Sequence, residues 1–390
     1  MRPATEYTNI NSDTDSPIHN IEDRQFQAMA TIAITKKGRI FVSYMGGWHG
    51  RPDPNEYITM KFSDDNGKTW SEEFLYVDQI NEKYIEVADP CLWSDPEGKL
   101  HLYWTQIDNR GVNDEPLDVN VYGTEHFSSV TCGDWVKHED GIGCTGEAVC
   151  ENPDSDEIKF ENPRCLFDQG MLNKPLLTKN GRIIYSKYRY DNVIHFDYSD
   201  DMGKTFTSIK PIYSKSYEDV EPCLFEKSDG TVVCIWRAFN YLDINYSYDN
   251  GESWTPIKQT DLQTPFSKPA VIKLPSGVIV LCCNDDPKKR QNLCLYVSHD
   301  DGTTWKKRII DCRYSVAYPD FDYKDGYLYL VYDYNRYTDR EICMMIFNEN
   351  ELLTGEIPEI ISISKPKSEV SEEAKKDMAN YAQSDDLNDY

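Results

Sequence analysis

Five side chains that can bind ions or move protons each stand immediately before a proline: Asp89-Pro90, Lys174-Pro175, Glu221-Pro222, Lys268-Pro269 and Tyr318-Pro319. Two carboxylates, two amines and a phenol in one register make a polar binding site whose groups can pair with charge and exchange protons. Each proline lies six to eight residues ahead of a glycine that opens an apolar run. Proline is tolerated at the first residue of a strand and biases the residue before it toward extended backbone. The shared register places the five side chains at equivalent strand starts, in one ring. An aligned strand start alone would explain the prolines but not the polar residues beside them.

The elements that must carry this ring are repeated. Six segments read as a turn glycine followed by alternating apolar residues, beginning at Gly38 (GRIFVSY), Gly98 (GKLHLYW), Gly181 (GRIIYSKY), Gly230 (GTVVCIWR), Gly277 (GVIVLCC) and Gly326 (GYLYLVYD). Alternation with period two after a turn predicts strands. The intervals are 60, 83, 49, 47 and 49 residues, and about 50 residues suits one four-stranded propeller blade. A second repeat, Ser-x-Asp-x-Gly-x-Ser/Thr-aromatic, occurs at Ser63–Trp70, Ser199–Phe206, Ser247–Trp254 and Ser298–Trp305. It is a hairpin-turn pattern in which Asp and Ser bond the local backbone, Gly supplies positive φ and the aromatic packs beneath. The expected fold is all-β, a six-bladed β-propeller whose innermost strands line a central funnel, with ligands bound at one mouth.

The expected domains are an N-terminal arm over residues 1–20, a propeller over 21–353 with an insertion near 108–164, and an acidic tail over 354–390 with a short helix around 372–381. Net charge is −26, with 67 Asp and Glu against 41 Lys and Arg. Such a surface repels nucleic acid and anionic membranes, so neither is expected as a partner. No segment reads as a signal peptide or a membrane span. The twelve cysteines show no CxxC or Cys/His metal spacing and are expected as reduced thiols of a cytoplasmic protein. No metal or cofactor is expected.

The Ser-x-Asp-x-Gly boxes resemble the Asp boxes, or BNR repeats, of sialidases (neuraminidases), which are six-bladed propellers. The resemblance covers roughly residues 21–350. In that family three arginines hold the sugar carboxylate, because guanidinium forks match a carboxylate and stay charged. The resemblance assigns these to Arg24, Arg237 and Arg290. It makes Tyr318 the nucleophile and Glu221, 16 residues before Arg237, its base. A neutral phenol can approach a reacting carbon that already bears a carboxylate, whereas a charged nucleophile would be repelled. The acid/base falls on the loop 46–56, where Asp53 matches best and Glu56 and His49 are rivals. Asp333 is the expected counter-charge of the first arginine. Asp89, Lys174 and Lys268 complete the substrate-binding set, with Trp48 and Arg336 as further lining.

The resemblance implies an exo-α-sialidase-like retaining glycosidase that releases a terminal sialic acid from glycoconjugates. Two alternatives stand beside it. One is a related glycosidase for another anionic sugar, which the added positive charge of Lys174 and Lys268 would suit. The other is a carbohydrate-binding propeller without catalysis, in which Tyr318 and Glu221 would not pair.

Overall fold

The structure, a computed structural model, describes residues 8–11, 16–47, 56–79, 85–108, 144–189, 193–213 and 221–371. Its contacts cluster in two units, residues 1–170 with 331–345 and 360–390, and residues 171–330 with 346–359. The first unit holds two antiparallel sheets. One comprises β1 (Thr8–Asn11), β2 (Phe26–Ile34), β3 (Ile40–Gly47), β4 (Tyr57–Ser63) and β5 (Leu75–Gln79), ordered β1-β5-β4-β3-β2. The other is β6 (Ile85–Ser94), β7 (Leu100–Asp108), β8 (Cys144–Cys150) and β9 (Glu161–Phe167) in sequence order.

The second unit holds three four-stranded meanders. They are β10 (Leu176–Leu177), β11 (Ile183–Arg189), β12 (Val193–Ser199) and β13 (Thr207–Tyr213); β14 (Cys223–Glu226), β15 (Val232–Trp236), β16 (Phe239–Ser247) and β17 (Lys258–Pro265); and β18 (Ala270–Lys273), β19 (Ile279–Asn284), β20 (Leu293–Ser298) and β21 (Lys306–Asp311). A sixth sheet, β22 (Val316–Lys324), β23 (Tyr327–Tyr334), β24 (Glu341–Asn348) and β25 (Ile361–Ser364), draws strands from both. The fold is all-β, and the six sheets are the blades of a six-bladed β-propeller.

The two sequence repeats fall at fixed places in these sheets. All six turn glycines open the second strand of a blade. In five of them the glycine N–H closes back on the carbonyl three residues earlier, as in Gly38 to Thr35 at 3.0 Å, and the glycine φ lies between 85 and 97°. That is a type I turn followed by a left-handed residue. The sixth turn uses two left-handed residues instead, Asp325 (φ 48°) and Gly326 (φ 88°).

The four boxes join third strands to fourth strands. In each, the Ser hydroxyl accepts the Gly N–H at 2.8–2.9 Å. The Asp takes the later Ser/Thr N–H at 2.8–2.9 Å. Its second oxygen takes the matching hydroxyl at 2.5–2.6 Å. Led by that hydroxyl bond, these contacts hold Asp65, Asp201 and Asp300 at about 2. At Gly251 a Cβ would stand 2.7 Å from Ile184 Cδ1, so this box also wedges its sheet against the preceding one.

Cores between sheets are apolar, as where Cys223, Ile235, Leu242, Leu262, Leu281, Cys283, Cys294 and Tyr296 pack together. The cysteines there act as small hydrophobes, and burial pushes the Cys294 thiol up to about 12.

Two boundaries differ from expectation. Ile361–Ser364, inside the segment expected as tail, is the fourth strand of the sixth sheet, with Ile342 opposite Ser364. Within the expected insertion, Cys144–Cys150 and Glu161–Phe167 are the third and fourth strands of the second sheet. The helix expected around 372–381 lies outside the described residues.

Candidate active site

The site grows from a backbone irregularity. Tyr318 sits in β22 with φ 55°, a left-handed conformation rare for a non-glycine residue. Asp89 in β6 (φ 54°) and Met29 in β2 (φ 60°) repeat it. The register of β2 against β3 shifts between Ala28 and Thr31, and that of β6 against β7 between Ala88 and Cys91. A bulge at these points re-aims one side chain out of the strand's alternation. The expectation that proline would hold the preceding residue extended therefore fails at Asp89, where bulge geometry prevails, and at Tyr318, whose backbone is left-handed too. A left-handed non-glycine residue costs on the order of 1–3 kcal/mol and persists where surrounding contacts fix it.

In the second unit the structure brings together four of the expected residues. Tyr318 Oη donates to Glu221 Oε1 at 2.8 Å. Arg237 Nη1 donates to the same phenol oxygen at 3.1 Å and to the Phe266 carbonyl at 3.3 Å. Nη1 also lies 3.0 Å from Glu221 Oε2, as an ion-pair contact without hydrogen-bond alignment. The Arg237 guanidinium carbon stands 4.3 Å from the Phe266 ring centre, and that of Arg290 stands 5.4 Å from the Tyr318 ring centre. Tyr318, Glu221 and Arg237 are all buried, at 5%, 5% and 4% exposure. The phenol proton thus points at a carboxylate while its oxygen accepts from a guanidinium. That geometry lets the phenol give up its proton without building uncompensated negative charge on oxygen.

The two ring lysines spend their amines on the protein. Lys268 Nζ donates to the Pro319 carbonyl at 2.9 Å. Lys174 Nζ donates to the Phe321 carbonyl at 2.8 Å and pairs with the Asp320 carboxylate.

The first unit treats its expected residues differently. Arg24 has 0% exposure. Its Nη1 and Nη2 reach Glu73 Oε1 and Oε2 at 3.0 and 2.8 Å, and its Nε donates to Tyr57 Oη at 2.8 Å. Tyr44 Oη and Tyr76 Oη add bonds to the same carboxylate at 2.7 and 3.2 Å. Burial opposes charge on both partners, yet the Glu73 charge carries the Arg24 guanidinium above its ordinary range, and Arg24 in turn holds the Glu73 carboxyl below its own. Arg24, expected as a substrate clamp, thus already clamps an internal carboxylate.

Asp333, expected as its counter-charge, instead accepts Arg336 Nη2 with both oxygens at 3.1 Å and the Met29 N–H at 3.0 Å. Asp89 is buried, with its N–H on Met45 Sδ at 3.4 Å. Of the acid/base candidates, Glu56 is buried in the first unit, while Asp53 and His49 lie outside the described residues, as does Trp48.

Sequence reading missed Glu73, Phe266, Asn173 and Asn284. Glu73 follows a box by three residues and carries no periodic mark. Asn284 ends the apolar run GVIVLCC and could have been singled out as a polar residue closing a buried strand.

The family described as BNR repeat-like domain matches residues 38–330. A curated sialidase of Paraclostridium sordellii is 26% identical over 225 residues, covering 48% of this chain and 52% of that protein. The chain thus spans about half the length of that relative. Among solved structures, the Hadza microbial sialidase Hz136 superposes with a TM-score of 0.66 at 14% identity, over 85% of this chain and 67% of that one. The intramolecular trans-sialidase of Ruminococcus gnavus, solved with oseltamivir carboxylate, gives 0.65 at 14% identity, over 88% and 99%. At such identities the likeness speaks for the fold: a sialidase-like propeller.

Proposed function

The chain belongs to the BNR repeat-like domain family, and we propose that it is a retaining exo-glycosidase of the sialidase kind, releasing a terminal sialic acid. The observation that carries this reading is the 2.8 Å bond from Tyr318 Oη to Glu221 Oε1, with Arg237 on the phenol oxygen. Tyr318 attacks the anomeric carbon as its proton passes to Glu221. The bond to the leaving oxygen breaks, and that oxygen takes a proton from Asp53. Water then attacks the glycosyl-tyrosine carbon and gives its proton to Asp53, while Tyr318 leaves and recovers its proton from Glu221. Two inversions amount to retention. Asp53 takes this part on the strength of its sequence position alone.

Arg237 and Arg290 take the substrate carboxylate. Arg24 receives no substrate contact, because its guanidinium is enclosed and bidentate on Glu73. The lysines that would have argued for a different anionic sugar are engaged with backbone carbonyls and Asp320, so they no longer favour it.

The test is turnover of a fluorogenic α-glycoside of N-acetylneuraminic acid by the wild type and by Tyr318→Phe. The expected result is turnover that the variant loses. Wild-type turnover of other anionic glycosides alone would move the substrate. Binding of acidic sugars without turnover of any would overturn the enzymatic reading.

A further inference from the structure

The strand that carries Tyr318 is held by three polar side chains, two of them buried and the third, Lys174, partly buried. Asn284, with 0% exposure, donates Nδ2 to the Val316 carbonyl at 2.8 Å. Lys268, at 3% exposure, donates to the Pro319 carbonyl at 2.9 Å. Lys174 donates to the Phe321 carbonyl at 2.8 Å and pairs with Asp320. Pro319 has no N–H, and the left-handed turn at Tyr318 disturbs the strand's pleat. Side-chain donors here take carbonyls on both sides of the irregularity.

The Glu221 side is tied in the same manner. Asn173 Nδ2 reaches the Glu221 and Pro222 carbonyls at 3.2 and 3.0 Å, and Ser186 Oγ reaches Pro222 at 3.0 Å. Among the described residues Lys268 has no carboxylate within ion-pair distance. A charged donor makes a hydrogen bond roughly twice as strong as a neutral one, which suits an ammonium used as a structural pin.

We propose that Lys174 and Lys268 are positioning residues. They fix the Tyr318–Phe321 backbone so that the phenol stays within reach of Glu221, and they make no contact with the substrate carboxylate. The inference rests on the reading of Tyr318 and Glu221 as the reacting pair. A displacement of about 1 Å in such a pair can cost about 10²-fold in rate. Lys268→Met and Lys174→Met keep the stem and remove the donors. Each is expected to lower kcat about 10²-fold, with KM for the fluorogenic sialoside and the Kd of free N-acetylneuraminic acid within about twofold.

If either lysine held the substrate carboxylate, KM and Kd would instead rise steeply with kcat little changed, which overturns the proposal. Crystal structures supply a readout that needs no turnover. In either variant the Tyr318–Glu221 separation should open beyond about 3.5 Å, and a bond kept at its wild-type length in both overturns the proposal. If Lys268→Met fails to fold, the more exposed Lys174→Met decides by the same measures. An opened pair in a protein whose wild type turns over no acidic sugar would leave the positioning role standing and sink the proposed function.

Discussion

Two clusters in this molecule use the same three side-chain types and reach opposite ends. In the first unit Arg24, Glu73 and the phenols of Tyr44, Tyr57 and Tyr76 form one buried set, with Gln27 Oε1 also accepting from Arg24 Nη1. The guanidinium meets both carboxylate oxygens, and the phenols add bonds to both partners. In the second unit Arg237 Nη1 is shared between the Tyr318 phenol and Glu221, while the phenol proton points at that same carboxylate. A saturated bidentate pair has nothing left to exchange and stabilises the fold. A pair bridged by a phenol holds a proton between two groups that can exchange it, which is the part the proposed reaction gives it. The backbone marks the difference too: Tyr318 is left-handed, whereas Tyr44 and Tyr57 lie in ordinary strand geometry. Residue type alone does not separate structural from reactive chemistry.

Exchanging equivalent groups breaks the comparison most sharply. Tyr318→Phe should cost about 10⁴-fold in turnover, with a loss of stability no larger than that of a lost buried hydrogen bond, about 1–3 kcal/mol. Glu221→Gln should lower kcat by about 10²–10⁴-fold, the range for a lost general base. Glu73→Gln should instead destabilise by about 3–5 kcal/mol in urea unfolding, because it strands a buried guanidinium, with kcat of the folded fraction preserved. Tyr57→Phe removes the acceptor of Arg24 Nε and should cost about 1–3 kcal/mol, again without a kinetic effect. A kinetic defect in folded Glu73→Gln, or turnover retained by Tyr318→Phe, would erase the distinction.

Acid should also find the structural side first. Glu73 is held below its ordinary range, and Asp65, Asp201 and Asp300 lie at about 2. A depressed carboxyl contributes stability that is present above its unfolded value, about 4, and is lost as pH falls through the folded one. Urea unfolding free energy should therefore fall between about pH 4 and about pH 2. Glu73→Gln should flatten that fall. The box aspartates reach solvent, Asp300 most openly, so added salt should weaken their share.

The fold was legible because its signals are local. Each turn glycine and each box fixes its own hairpin, and four boxes with six glycine-led strands count the blades. That Tyr318 and Glu221 meet was legible for a related reason: a proline beside each put them in one register. Arg24 was not, because its fate depends on Glu73, 49 residues away, which no spacing rule connects to it. The partners of the lysines were not legible, because they are mainly backbone carbonyls, which every residue has and no sequence displays. Bulge conformation at a residue before proline ran against local preference and could be seen only in the strand. Ile361–Ser364 hid as tail because four residues without a turn signal carry too little alternation to read.

The central claim is that Tyr318 bonds the sugar carbon. Incubation with a fluorinated, activated sialic acid that forms the glycosyl-enzyme but hydrolyses slowly, followed by peptide mass spectrometry, tests it directly. A sugar adduct on Tyr318, absent from Tyr318→Phe, is the predicted result. Steady turnover of sialosides with the adduct on a carboxylate, or with none formed at all, would contradict it.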